Sequence, residues 1–281
     1  MSIRVSKIIQ CLGPIFIAAL FLLLNFYAVQ ALIDYHALGI NLLSEKNLGK
    51  IIFSLMVMLT IDLFLRLQNK KYLDHFYQTV FGIFRWRSMK TFGFYFVLFF
   101  LFHLATIALF VGMGHAQFIA CFDGLTRSFF LKALWGFIAT FFLVWSEEAI
   151  FRVALFNHFH RFLKTVPAMI VTSLCFMAAH GLTNPSYFFM HEWRIAIGLF
   201  LFGLMLNSIY VKTGNLMANM GAHAGVVFVK VLQRRLLFVQ FLPHIQSFWL
   251  IDADLRQSVL AYIFFFLVSL YFVVSSKVIK K

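Results

Sequence analysis

Long apolar runs separated by short polar segments leave this chain few folds. A transmembrane helix needs about 20 predominantly apolar residues. About eight such runs can be marked, at 12–33, 50–67, 91–113, 130–157, 166–183, 194–212, 215–233 and 257–277. Charged residues make up 12% of the 281 residues, where a soluble domain carries about 25%. That is too little polar surface to cover a water-soluble globule. The expected fold is all-α: a polytopic transmembrane bundle of about eight helices, one membrane-embedded domain spanning 1–281.

The formal net charge is +14, and the basic residues fall between the apolar runs. That pattern fits loops held against an anionic leaflet of a lipid bilayer. No basic stripe with interleaved aromatics supports nucleic-acid binding. With eight spans, Arg4 and Lys7, the group Lys70, Lys71, Arg85, Arg87 and Lys90, the pair Arg161 and Lys164, and Lys277, Lys280 and Lys281 share one side. The Lys/Arg bias makes that side, with both termini, cytoplasmic. Lys230, Arg234 and Arg235 then lie opposite, a conflict that a re-entrant seventh span or a miscount would resolve. The segment 68–90 reads as an amphipathic helix on the membrane surface. Run 12–33 is long enough to span, so it reads as a retained first helix rather than a signal peptide. Cys11, Cys121 and Cys175 are scattered, with no CxxC pair, so neither a disulfide framework nor a structural zinc site is expected. No oligomeric state follows from the sequence.

Ionisable groups inside a bilayer are costly and mark functional sites by default. The first cluster is Ser146-Glu147-Glu148-Ala149-Ile150-Phe151-Arg152, late in the fourth span. Glu148 and Arg152 are four apart and can pair on one helix face. Glu147 points about 100° away from Glu148 and is left to face something else. A carboxylate in an apolar site suits a general acid or base; a charge network that only fixes helix packing is the bland alternative. Phe176 and His180 are four apart near the end of the fifth span, where a lone His is more often structural. Asn184 either shares that face or only ends the helix before Pro185. Asn215, Asn219 and His223 are spaced by four in the seventh span, although Asn215 may also be read as a helix cap. Gly221-x-x-x-Gly225 and Ala218-x-x-x-Ala222 surround them, a small-residue pattern that lets helices approach closely and makes this helix central. Asp62 and Arg66 read as an interfacial pair, and His103 as a packed residue. Together the buried His and the free Glu suggest a water-activating site or a metal site. The ligand set Glu147, His180 and His223 also suits zinc, but no HExxH occurs, and no cofactor is the favoured reading. Ser146 lacks a G-x-S-x-G setting.

In order and spacing, Glu147-Glu148-x-x-x-Arg152, Phe176-x-x-x-His180 and His223 resemble the CAAX-protease and bacteriocin-processing family of intramembrane proteases. The resemblance covers about 130–230, roughly a third of the chain. It implies a core of eight helices with the site inside the membrane. It implies that Glu147 and His180 activate a water for attack on a peptide carbonyl, that His223 stabilises the oxyanion, and that Glu148, Arg152, Phe176 and Asn219 support them. The family often carries Asn four residues after the last His; here that position is Val227. Either the amide is dispensable, or Asn219 replaces it, or activity is lost or altered.

The leading expectation is a metal-independent glutamyl endopeptidase acting on a peptide or membrane-tethered protein, with a catalytic core at about 130–230. Short loops and the resemblance favour a bacterial cytoplasmic membrane. A non-catalytic member that binds a peptide or partner, as in bacteriocin immunity, is the first alternative. A proton-coupled transporter using Glu147, His180 and His223 is the second, but neither inverted repeats nor broken helices are evident.

Overall fold

The computed structural model describes residues 70–81, 86–119, 127–181, 184–236, 239–242 and 254–275, with isolated helical positions between 13 and 65. Helix α1 is Lys70–Phe81 and α2 is Trp86–Gly112. Strand β1, Ala116–Phe118, precedes α3, Arg127–Glu148, which runs on through a π-helical segment, Ala149–Phe156, into α4, Asn157–His160. There follow α5 (Thr165–His180), α6 (Pro185–His191), α7 (Trp193–Thr213) and α8 (Leu216–Leu236). Strand β2 (Val239–Phe241), a 3-10 turn (Leu255–Gln257) and α9 (Val259–Ser275) complete the described chain. This is an all-α membrane protein. Among the described residues, α2, the continuous stretch Phe130–His160 and α7 are long and apolar enough to cross a bilayer. The pair α5 and α6, bent by 109°, makes a fourth when taken as one span. The first two expected spans lie mostly outside the described residues.

Local chemistry sets the ends of these elements. Pro167 stands third in α5, where its missing N–H costs no intrahelical bond. Asn184 does not continue α5; its Oδ1 accepts from the Tyr187 amide and caps α6, with Pro185 in the first turn. Gly214 closes α7 with φ +59° and bonds to the Tyr210 carbonyl. Asn215 then caps α8, accepting from the Met217 amide at 2.9 Å. Of the two readings of Asn215, the cap is the one the fold uses.

Helix α8 sits at the centre, packed on α2, α3 and α7. Apolar burial drives helices together only weakly in lipid, so close packing has to do it. A Cβ added at Gly221 would lie 2.4 Å from the Phe92 carbonyl oxygen, and one at Gly225 2.5 Å from that of Phe96. The two glycines thus let α8 lie backbone to backbone along α2. Further along the same contact, buried His103 donates from Nδ1 to the Val226 carbonyl at 2.8 Å. Phe228 joins Phe96, Phe100 and Phe137 where α2, α3 and α8 meet.

Two expectations are corrected. The seventh span is one uninterrupted helix rather than a re-entrant loop, and Lys230 is held near its far end by Asp254. The amphipathic helix α1 does not lay its apolar face on lipid: Phe76 and Val80 are buried against the core that holds Val144 and Trp145. Asp62 accepts from the Tyr77 hydroxyl; Arg66 lies outside the described residues. The two short antiparallel strands, with Gln117 opposite Gln240, were not legible as an element.

Replacing Gly225 with Ala should lower stability by about 1–3 kcal/mol through overpacking. Gly93→Ala, where nothing lies within 4 Å of the added Cβ, should stay within about 0.5 kcal/mol of wild type. Thermal unfolding in detergent checks both; equal midpoints for the two variants would disprove the close contact.

Candidate active site

The site forms where α3 enters the π-helical segment and meets α5 and α8. Glu148 is fully buried and receives three partners. His223 Nδ1 lies 2.8 Å from its Oε1, and Asn219 Nδ2 3.2 Å from its Oε2. Arg152 Nε approaches Oε2 at 3.1 Å. This last contact is an ion pair by distance, but its N–H is not directed along the hydrogen-bond line. The Arg152 head group is otherwise held by aromatic faces, 5.2 Å from Phe176 and 6.0 Å from Phe151. Four residues remain close to one turn in the wider helix, so the Glu148–Arg152 spacing still closes.

Glu147 does face elsewhere. Its carboxylate is 21% exposed and lies 3.6 Å from His223 Nε2, while His223 is 5% exposed. One imidazole therefore stands between two carboxylates from consecutive residues. A carboxylate can only accept, so His223 Nδ1 carries a proton toward Glu148.

His180 ends α5 with its ring exposed. Its Nδ1 lies 2.9 Å from the Phe176 carbonyl of its own helix. A carbonyl also only accepts, so Nδ1 donates and Nε2 is the ring nitrogen not used in this bond. Phe176 is fully buried and fixes both histidines, its ring centroid 4.8 Å from that of His180 and 6.0 Å from that of His223. Gly203 of α7 leaves space for it: an added Cβ would come within 3.3 Å of the Phe176 ring and of Ser173.

Asn219 cannot stand in for the missing amide at position 227. Its side-chain NH2 is spent on Glu148 and on the Leu206 carbonyl, at 2.7 Å. Val227 is half-buried one turn beyond His223. Among the described residues, no group of three His, Cys, Asp or Glu side chains is placed to hold a metal ion. Ser146 turns its hydroxyl to the Leu143 carbonyl of its own helix. Two parts escaped the sequence reading. Phe202 packs edge-on against His223, centroids 5.0 Å apart, and only its apolar character could have marked it. The π-helical segment has no sequence signature in this chain.

Residues 128–229 match the family model described as type II CAAX prenyl endopeptidase Rce1-like. This segment is similar to Rce1-like domains. It contains Glu147, Glu148, Arg152, Phe176, His180, Asn219 and His223. The match stops two residues past Val227, so the departure from the family's usual Asn falls inside the Rce1-like segment. No curated protein and no solved structure matches the chain.

Arg152→Ala should destabilise the protein by about 3–5 kcal/mol, because it strips a fully buried carboxylate of its cation. Adding Glu148→Gln to that variant should recover part of the loss. Unfolding midpoints of the single and double variants test this; additive losses would mean that the two side chains are not coupled.

Proposed function

We propose that this chain is an endopeptidase that hydrolyses a peptide bond within the membrane, using a water activated by Glu147 and His180. The observation that carries the proposal is the His223 imidazole held between Glu147 and Glu148, with Phe176 packed against both His223 and His180. The family description of an endopeptidase supports it.

Glu147 takes a proton from the water as its oxygen bonds to the carbonyl carbon. His180 Nε2 accepts a hydrogen bond from the second water hydrogen and aims the attack. The carbonyl oxygen becomes an oxyanion, and the Nε2–H of His223 donates to it. Nε2 stands 3.6 Å from Glu147 at rest, beyond ordinary hydrogen-bond distance, so its proton is not tightly committed. One such donor contributes on the order of 3 kcal/mol. The intermediate then breaks its C–N bond, and the leaving amine takes the proton that Glu147 holds. One new carboxyl and one new amine leave the site. Glu148 touches no reacting atom; it orients and charges His223, as a buried acid does for the histidine of a serine protease. The reading uses no metal. The substrate is a peptide or membrane-tethered segment, and the chain sits in a bacterial cytoplasmic membrane with both termini cytoplasmic.

A non-catalytic, peptide-binding role is the second reading. The observation in its favour is the missing donor: Val227 offers none, and both donors of Asn219 are engaged.

Purified protein should cleave members of a peptide library, Glu147→Ala should lower the rate by at least about 100-fold, and a chelator should change nothing. Cleavage lost to the chelator would hand the chemistry to a metal. Cleavage kept by Glu147→Ala would remove the proposed base. Val227→Asn should raise kcat, measured on the best peptide found; an unchanged rate would show that the second donor is dispensable here.

A further inference from the structure

His180 is the last residue of α5, and its ring is aimed by the turn that it ends: Nδ1 donates to the Phe176 carbonyl. The carbonyls of a last turn lack donors within the helix, and helix ends fray. A site residue placed there needs something beyond its own helix to hold it. The next residue, Gly181, is where the hold is taken. Its backbone lies at φ −95° and ψ 0°, a turn conformation that does not call for glycine. Space does call for it: a Cβ there would fall 2.4 Å from Phe188 Cδ1 and 2.8 Å from Cγ. The Phe188 ring therefore seats directly on the backbone beside His180.

Phe188 is also what attaches α6. It is the one buried residue of that helix, at 4% exposure, while Tyr187, Phe189 and Met190 around it are 53%, 48% and 74% exposed. Its ring joins the apolar cluster of Phe176 and Phe202, which pack on the two histidines. Hydrogen bonds tie the chain between the two contact points. The Gly181 amide donates to the Ala178 carbonyl at 3.0 Å, the Asn184 amide to the Gly181 carbonyl at 3.2 Å, and the Phe188 amide to the Asn184 carbonyl at 3.0 Å. We propose that Phe188 positions His180: seated on Gly181, it holds the last turn of α5 and so fixes where Nε2 points. The link from position to rate rests on the endopeptidase reading; the position itself does not. Phe188 acts through the backbone of Gly181, so its loss is read in kcat rather than in KM.

The test reads position and rate separately. Full-length protein labelled with carbon-13 at His Cε1 is followed by NMR in detergent, the His180 signal being assigned by its loss in His180→Gln. The Phe176 ring, 4.8 Å from that of His180, shifts this signal. Phe188→Ala should move it toward the signal of a free imidazole. The His223 signal, held between two carboxylates, should stay in place. Gly181→Ala disturbs the same seat without emptying the core; it should also move the His180 signal, and it carries the test if Phe188→Ala does not fold. Phe188→Leu, which keeps the seat filled, should return the signal close to its wild-type position. On the best peptide found, each of Phe188→Ala and Gly181→Ala should lower kcat at least about tenfold with KM within about twofold of wild type. The double variant should recover part of kcat, because the added methyl occupies space that the ring leaves. A His180 signal unmoved in both single variants overturns the proposal. So does an equal movement of the His180 and His223 signals, which reports general loosening, and so do losses that simply multiply in the double variant. A moved His180 signal in a protein whose wild type cleaves no peptide upholds the positioning and sinks the endopeptidase alone. Glu147-dependent cleavage that Phe188→Ala leaves unchanged sinks Phe188 alone.

Discussion

The ionised Glu148 carboxylate is the point from which the rest of the site is built. A buried charge is tolerated only when it is paired and hydrogen-bonded. Arg152 supplies the charge, and His223 and Asn219 supply the bonds. Each partner comes at a structural cost that the fold meets elsewhere. Arg152 needs a dry aromatic pocket, which Phe151 and Phe176 provide. Asn219 needs a second acceptor, which the Leu206 carbonyl of α7 provides. The same anion thereby ties α3, α7 and α8 together and fixes the one imidazole that faces the partly exposed Glu147.

That arrangement requires α8 to be both polar and deep in the bundle. The two demands conflict in lipid, where a polar helix has little apolar surface with which to hold its place. Glycine resolves the conflict: Gly221 and Gly225 bring the backbones of α2 and α8 into contact on one side, leaving the opposite side free for Asn219 and His223. Phe supplies bulk where α8 is narrow, and the rings of α2 and α3 fill the space around Phe228.

Much of this was legible in the residues themselves. The apolar runs marked the long helices from α2 onward but not the short α6, the small-residue pattern marked α8 as central, and the spacing of Glu148 and Arg152 marked their pairing. The direction of Glu147 away from that pair followed from one helical step. What was not legible depends on other elements. Glu148 looked like a partner for Arg152 alone, because nothing local says that His223, 75 positions later, also bonds to it. Nor does anything local say that Asn219 bonds to Glu148, 71 positions earlier. Nothing local says that Lys230 is paired, because its partner Asp254 lies in a separate turn of the chain.

The π-helical segment from Ala149 to Phe156 begins at the residue after the paired glutamates. Such wide turns are frequent at functional sites and are narrow exceptions within α-helices. One consequence concerns inheritance rather than chemistry. Changing the number of residues in this stretch changes the turn width that joins Glu148 to the helix beyond it. Glu148 and Arg152 lie on either side of that boundary, so the segment should accept exchanges of apolar side chains far more readily than any change in its length.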